Sequence, residues 1–494
     1  MPNAAISASR PWLWSLLGIG ICIHLLFSFT IGFSVDEAHY ALYARHLDWS
    51  YFDHPPLVGW IQWPLVVIHA KEGVIRLIPG VLWIFSALLA YRIANRLTQL
   101  NPLLNEGELA GICTLALILL APMLHILAVG LLPDTLLSTI SLGILYLAVL
   151  AIQHGFLSTK QWIFLGVLLG LAGLSKYTAV FILPALLLVF YVTGRFRFLK
   201  EVGFYFAGAI ALLLIAPVLY WNWQHDWLSF RYQIAHGTGG EWAIRRVAAF
   251  LGIQILCFGF LPLLGLWAYF KYRLFSSTKN NIALLCFFLV PFFIFTSLSG
   301  GGSLPHWTSP AWYCLAPFAG VGLAQLMKQG RTLLMNWFIA LQGLICIVGF
   351  GLVFAGGEQL SGAAKSNPIA DLYGWEKAAE HANKLVNKNQ VAGIAVQNWT
   401  LGSRIAWYAN PTPVFVLDQR QDQFDFWFGD LPQGANAIVI TWSMMTFQLP
   451  IGPNGFQDCQ PLDRFFVERF GNRISEFKFS VCHTWSGKSA ARSN

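Results

Sequence analysis

The sequence predicts a polytopic α-helical membrane protein with a separate α/β domain at its C-terminal end. Three observations predict it. The 494-residue chain is 56% hydrophobic and only 11% charged, where soluble domains carry roughly a quarter charged residues. Its apolar residues gather in runs of about 20, the length needed to cross about 30 Å of hydrocarbon. From about residue 357 the charge rises and the runs shrink to strand length. The net charge of +8 comes mostly from Lys and Arg between the apolar runs, which marks topology and not nucleic-acid binding.

Eleven apolar segments follow in order, roughly at 11–33, 74–97, 108–130, 132–153, 161–176, 177–193, 201–221, 244–270, 281–299, 306–327 and 331–355. The first reads as an uncleaved signal anchor, too long for a signal-peptide core and without a small-residue cleavage site. Lys176 splits the fifth from the sixth, and one long buried helix is the competing reading there. With the N-terminus in the cytoplasm, the inside loops hold Arg10, Arg92, Arg96, Lys160, Arg195, Arg197, Lys200, Lys271, Arg273, Lys279, Lys328 and Arg331. That is the positive-inside pattern. An odd number of spans then places everything after Gly356 outside. The same topology puts Asp36, Glu37, Asp134, Lys176, the loop 222–241 and the loop 299–307 on one external face.

The tail, 357–494, reads as an extracytoplasmic α/β domain long enough for its own core. Residues 371–388 have helical spacing, with Leu372, Trp375, Ala378, Ala379, Ala382 and Leu385 on one side. Residues 391–396 and 437–441 read as buried strands, and 399–408 as a second helix. Six cysteines fall in predicted spans and are core residues. Cys459 and Cys482 fall in the tail, where an oxidising compartment would join them.

The first external loop, 34–73, carries the chemistry. Its stretch 34–60 reads SVDEAHYALYARHLDWSYFDHPPLVGW. Ser34 and Glu37 fit a capping box that starts a helix running to about Leu47. Capping accounts for both residues and leaves Asp36 as the functional acid, with Glu37 divided between the two roles. It does not account for His39, Tyr40, Tyr43 or His54, and the double proline after His54 holds that residue extended. A carboxylate outside a membrane suits a general base for an incoming hydroxyl or amine. A divalent-metal site on Asp36, Glu37, His39 or His54 is an alternative without regular ligand spacing, so no cofactor is expected.

The string DEAHYALYARHLDWSYFDHPPL resembles the first external loop of membrane glycosyltransferases with the GT-C fold. It is most similar to the bacterial branch of the dolichyl-phosphate-mannose–protein mannosyltransferase family, which includes the lipid A aminoarabinose transferase. PDTLL at 133–137, GLSKYTA at 173–179, NWQHDWLSF at 222–230 and LPHW at 304–307 extend the likeness over the membrane part. The resemblance implies a catalytic transmembrane domain at 1–356 in the cytoplasmic (inner) membrane. It implies transfer of a sugar from a polyprenyl phosphate, and not from a nucleotide sugar, to an acceptor outside that membrane. The reaction that the resemblance implies is a single inverting displacement. Asp36 occupies the position of the family's proposed base, and Asp134 matches a second external acid. Lipopolysaccharide or lipid A, another envelope glycan and protein are the acceptors left open. Where the aminoarabinose transferase has a lysine before its double proline this chain has His54, which points to a different donor sugar or acceptor.

The residues fit that reaction. A lipid phosphate needs a cation at the membrane surface, and Lys176, Arg231 and His306 stand there. The bland alternatives are snorkelling for Lys176 and helix capping for Asp134. His54 and Tyr40 join the substrate-contact candidates. A transporter or flippase of lipid-linked sugars is the second function class. It usually shows repeat symmetry and mid-membrane charges, and this chain shows neither.

Overall fold

The computed structural model describes residues 2–101, 104, 106–238, 241–274, 278–357, 367–445 and 447–487. Helices α1 (Pro2–Thr30), α2 (Val35–Arg45), α3 (Leu57–Val67), α4 (Glu72–Ile75) and α5 (Leu77–Gln99) come first. Then follow α6 (Gly107–Leu119), α7 (Pro122–Val129), α8 (Pro133–His154), α9 (Thr159–Ser175), α10 (Leu183–Gly194) and α11 (Val202–Gln224). The apolar part ends with α12 (Leu228–Thr238), α13 (Ile244–Phe258), α14 (Leu261–Lys271), α15 (Thr278–Leu298), α16 (Ser309–Lys328) and α17 (Leu333–Ala355). The chain divides into two compact units. The first is Met1–Ser28, Trp49–Val58 and Gly73–Ile347; the second is Phe29–Asp48, Gly59–Glu72 and Val348–Asn494.

All eleven apolar segments are helical. Among the described residues seven helices are long and apolar enough to cross a membrane, or nine if each of two bent pairs is one span. The eleven-span expectation therefore exceeds what length and composition support. The difference has physical causes. α6 and α7 meet at 77°, and α13 and α14 at 91°, so 108–130 and 244–270 are broken helices, not straight spans. α9 is only 17 residues long. α16 falls outside the seven on composition, because Ser309, Pro310, Trp312, Tyr313, Pro317 and Gln325 dilute its apolar residues; it is a core helix, buried over nearly its whole length. Small residues permit that: a Cβ on Gly320 would strike Thr114, and one on Gly322 would strike the Gly265 carbonyl. Close approach through glycine is the usual packing device of membrane helices. The boundary at Lys176 is a true break. Lys176 is extended, and a 3-10 turn, Tyr177–Ile182, separates α9 from α10.

A broken helix in an apolar layer exposes backbone groups that must find partners. Gln342 of α17 does this for both bends. Its Nε2 donates to the Leu120 carbonyl (3.3 Å) and its Oε1 accepts from the Leu261 N–H (3.0 Å). At the first bend His125 adds a bond from Nε2 to the Leu119 carbonyl (2.7 Å). That fixes the His125 tautomer if the ring is neutral, so its Nδ1 accepts from His24 Nε2 at 2.8 Å.

The second unit contains α18 (Trp375–Asn389), α19 (Trp399–Ala409), α20 (Gln423–Trp427) and a five-stranded sheet. Its strands are β1 (Ile394–Val396), β2 (Val414–Val416), β3 (Ala437–Trp442), β4 (Phe456–Arg469) and β5 (Asn472–Trp485), in the order β2-β1-β3-β5-β4. β1 runs parallel to β2 and β3, with α19 as the crossover between β1 and β2; β5 is antiparallel to β3 and β4. This is the α/β domain that the tail predicts. The helix expected over 371–388 starts later. Gly374, at φ +88°, separates a 3-10 turn at Pro368–Leu372 from α18, whose Trp375, Ala378, Ala379, Ala382 and Val386 are buried. Cys459 and Cys482 are cross-strand partners and form a disulfide.

Candidate functional site

In the first unit the sequence candidates gather at one end of the helix bundle. α8 and α9 are antiparallel neighbours, so the start of one lies beside the end of the other. Lys176 donates to both carboxylate oxygens of Asp134, each at 2.7 Å, and both residues are buried. His306, in the 3-10 turn before α16, brings Nε2 within 3.7 Å of the same carboxylate. The Lys176 ammonium stands 5.6 Å from the Trp307 ring. Asp134 is therefore not the cap of α8, whose N-cap position is Leu132. The opposite end of the bundle holds the Lys328–Glu106 pair and the bond from Gln153 to the Arg96 carbonyl.

Tyr177 continues the polar end. Its hydroxyl lies 3.2 Å from Ser50 Oγ and 3.4 Å from Asn222 Nδ2. The chain around His54 is fixed to α12: Ser229 donates to the Tyr51 carbonyl and Gln233 to that of Asp53. Tyr51 N–H closes the turn on the His54 carbonyl at 3.2 Å. His54 is half-buried, and Arg231 is exposed on α12 between those two anchoring side chains.

An apolar groove of about 760 Å³ runs along this unit. On α9 it is lined from Trp162 to Ala172 and Gly173, and on α11 from Phe204 to Val218. The stretch Phe204 to Val218 gives it a length of about 20 Å. Lys176, just past the end of α9, is the one charged residue among the described residues that line it. Sequence reasoning named Lys176 but missed the groove, because its walls are ordinary lipid-facing residues.

In the second unit, α2 starts with the expected capping box. Ser34 N–H and Oγ both donate to Glu37 Oε2, at 3.0 and 2.9 Å, and Ser34 caps the Glu37 N–H. Asp36, in the first turn, is half-buried. His39, one turn on, places Nδ1 3.0 Å from Ser403 Oγ. The Ser403 hydroxyl is already spent on the Trp399 carbonyl at 2.8 Å, so His39 Nδ1 donates to it. Tyr40 is buried and packs its ring on Tyr43, while its carbonyl accepts from Gln62. Arg45 donates to the Ala406 and Trp407 carbonyls and stacks on the Trp407 ring at 3.9 Å. His39 and Tyr43, which capping leaves unexplained, thus belong to a packed face between α2 and the elements around α19 and α20.

That face adds charged residues the sequence reading missed. Arg404 of α19 is buried, ion-paired with Asp371 and stacked 3.8 Å over Trp375. Burial drags its pKa down to about 9, against the opposing charge of Asp36 and the Tyr408 phenol. Asp422, the N-cap of α20, is pushed up to about 7 by burial, with Asp425 and Asp418 adding to the rise and a backbone bond from Phe424 and the nearby His39 opposing it. An arginine on the apolar side of a helix was the available signal for Arg404. Among the described residues no three His, Cys, Asp or Glu side chains converge on a metal-sized point.

This architecture is the GT-C fold that the first loop's resemblance implies. A family model described as dolichyl-phosphate-mannose-protein mannosyltransferase matches residues 53–221. Among particular relatives, the chain is 25% identical over 250 residues to the lipid A galacturonosyltransferase RgtD of Rhizobium johnstonii, covering 48% of this chain and 49% of the relative. The chain thus matches about half the length of that relative. The crystal structure of ArnT from Cupriavidus metallidurans in the apo state superimposes with a TM-score of 0.63 at 16% identity, over 98% of this chain and all of ArnT. ArnT bound to undecaprenyl phosphate matches with the same score, over 97% of this chain and 99% of ArnT.

Proposed function

We propose that the protein is a glycosyltransferase that moves a sugar from a polyprenyl-phosphate donor to an acceptor on the extracytoplasmic side of the cytoplasmic membrane. The observation that carries the proposal is the apolar groove with Lys176 at one end. A polyprenyl phosphate has the same polarity, an apolar chain closed by one anionic head. A structural relative that binds undecaprenyl phosphate supports the donor class. The relative named for lipid A supports a glycolipid acceptor ahead of protein.

In this reading Asp36 is the base. It takes the proton of the acceptor hydroxyl as that oxygen attacks the anomeric carbon. The bond from that carbon to the phosphate oxygen breaks, its electron pair leaves with the phosphate, and the configuration inverts. Glu37 holds the helix start that carries Asp36. Lys176, with His306 and Arg231, meets the phosphate charge; Asp134 orients Lys176. His54 and Tyr40 serve acceptor or sugar recognition, His54 through its side chain and Tyr40 by shaping the face of α2.

The test leaves every charged candidate intact. Gly208 of α11 lines the groove and has open space where a side chain would stand. Gly208→Trp should fill the groove and raise the donor KM at least tenfold in nanodiscs, with the acceptor KM unchanged. An unchanged donor KM sinks the groove assignment. Movement of lipid-linked sugar across the bilayer without any transfer would replace the enzyme reading with that of a flippase.

A further inference from the structure

The β4–β5 hairpin ends at the last turn of a lipid-facing helix. α17 has 23 residues, about 34 Å of helix against about 30 Å of hydrocarbon, so its final turn reaches the headgroup boundary. Only 11% of its most apolar window is buried. Two residues of the second unit close this end. Tyr373 Oη donates to the Val353 carbonyl, and Arg469 Nη2 donates to that of Phe354 at 2.9 Å. Carbonyls at a helix C-terminus need such donors and favour a cation. Phe470, at the hairpin tip, sets its ring 5.7 Å from that of Phe354.

The tip itself is unusual. Arg469 and Asn472 are register partners, so Phe470 and Gly471 form a two-residue turn. Both have positive φ, +48° and +82°. Such turns favour Asn-Gly because an ordinary side chain is strained at the first position. Here that position holds a phenylalanine that is 70% exposed. Neither turn geometry nor burial accounts for it. Arg469 and Arg473 flank it, and Arg473 is exposed and stacked 3.5 Å over Phe466. An aromatic tip between two arginines, level with a helix end, is the chemistry of the membrane interface.

We propose that the β4–β5 tip is a membrane-surface anchor, with Phe470 in the acyl–headgroup boundary and Arg469 and Arg473 at the level of the lipid phosphates. The partner is the bilayer leaflet at which α17 ends. The anchor does not depend on the identity of the transferred sugar or on the catalytic roles above.

The experiment uses the full chain in nanodiscs containing a phospholipid with a diazirine in its acyl chain near the headgroup. After illumination, adducts are mapped by peptide mass spectrometry. Adducts are expected at 469–473 as well as on exposed α17 residues such as Ile347. Phe470→Asn suits the turn better, so the thermal midpoint should hold or rise, while adducts over 469–473 fall at least fivefold. Adducts on α17 with none at the tip overturn the proposal. So does protein–protein crosslinking at the tip in their place. A lower midpoint for Phe470→Asn with unchanged lipid labelling would show that Phe470 is a packing residue, and overturn it too.

Discussion

The Lys176–Asp134 pair permits a test that separates holding the fold from handling the donor. Lys176→Met leaves a carboxylate 2% exposed without its ammonium, and Asp134→Leu leaves the ammonium without its carboxylate. Removing one partner of a buried, well-bonded pair costs about 3–5 kcal/mol, because the remaining charge stays desolvated. Replacing both by apolar residues of similar size is often neutral or stabilising. The double variant should therefore recover most of what either single variant loses, so the two single losses fail to add by a coupling free energy of about 6–10 kcal/mol. The assay is denaturant unfolding of all four proteins in one detergent, followed by tryptophan fluorescence and paired with sugar transfer at varied donor concentration. Stability should return in the double variant while donor use stays lost, since the cation at the groove end is gone. Single variants within about 0.5 kcal/mol of wild type would refute the burial argument. A double variant with a wild-type donor KM would refute the phosphate role.

Asp36→Asn keeps the shape of the side chain and removes the proton acceptor, so transfer should fall by roughly 10²–10⁴-fold; turnover within a few-fold of wild type rejects Asp36 as base. Asp422 is raised from its ordinary value to about 7, so the folded state holds a proton that the unfolded state has lost between about pH 4 and 7. Stability therefore falls as pH rises through that window and levels off above it, by a few kcal/mol at most, and Asp422→Asn should flatten the curve in unfolding titrations. Gln342→Leu strands the Leu261 N–H at one bend and leaves the Leu120 carbonyl at the other with only the weak Cys346 thiol donor, and should cost about 1–3 kcal/mol in detergent unfolding; a neutral result would mean that the bends find other partners.

What could be read from the chain follows from where the information lies. The capping box at Ser34 and Glu37 is local, four residues that satisfy one another, and the structure has it in full. The apolar segments are local too, and each became helical. Pairing is not local. Lys176 and Asp134 were each singled out, but nothing in the chain between them says that they meet across a separation of 42 positions. The bends at Leu120 and Gly259 escaped for the same reason: what makes them tolerable is Gln342, far along the chain. Gln342, His24 and His125 do stand out as lone polar residues in apolar runs, and polar residues within a membrane span are a default signal of function or structure. β4 and β5 escaped for another reason. β4 is an edge strand with one partner, so exposed charges interrupt its alternation and a bulge at Pro461 and Asp463 shifts its period.

The resting arrangement around Asp134 also bears on how an anion could be admitted to a dry site. A lysine alone at the end of an apolar groove would be costly to bury. Paired with Asp134 it is held in place and, with that carboxylate, carries no net charge. A neutral pair attracts a phosphate only weakly at long range. Its ammonium must turn part of its bonding from the carboxylate to the incoming oxygen atoms. Asp134 would then lose a partner in a buried setting, which is the expensive step. His306 stands 3.7 Å from the same carboxylate oxygen and is more exposed than Lys176. Protonated, it can take over the carboxylate as Lys176 turns away. The three residues are then one exchange unit and not three separate contacts. In the function proposed above, Lys176 would turn from Asp134 to the donor phosphate, and His306 would take its place beside Asp134. On that account His306→Gln should raise the donor KM yet leave the resting fold as stable as wild type, a split that a purely structural histidine would not give.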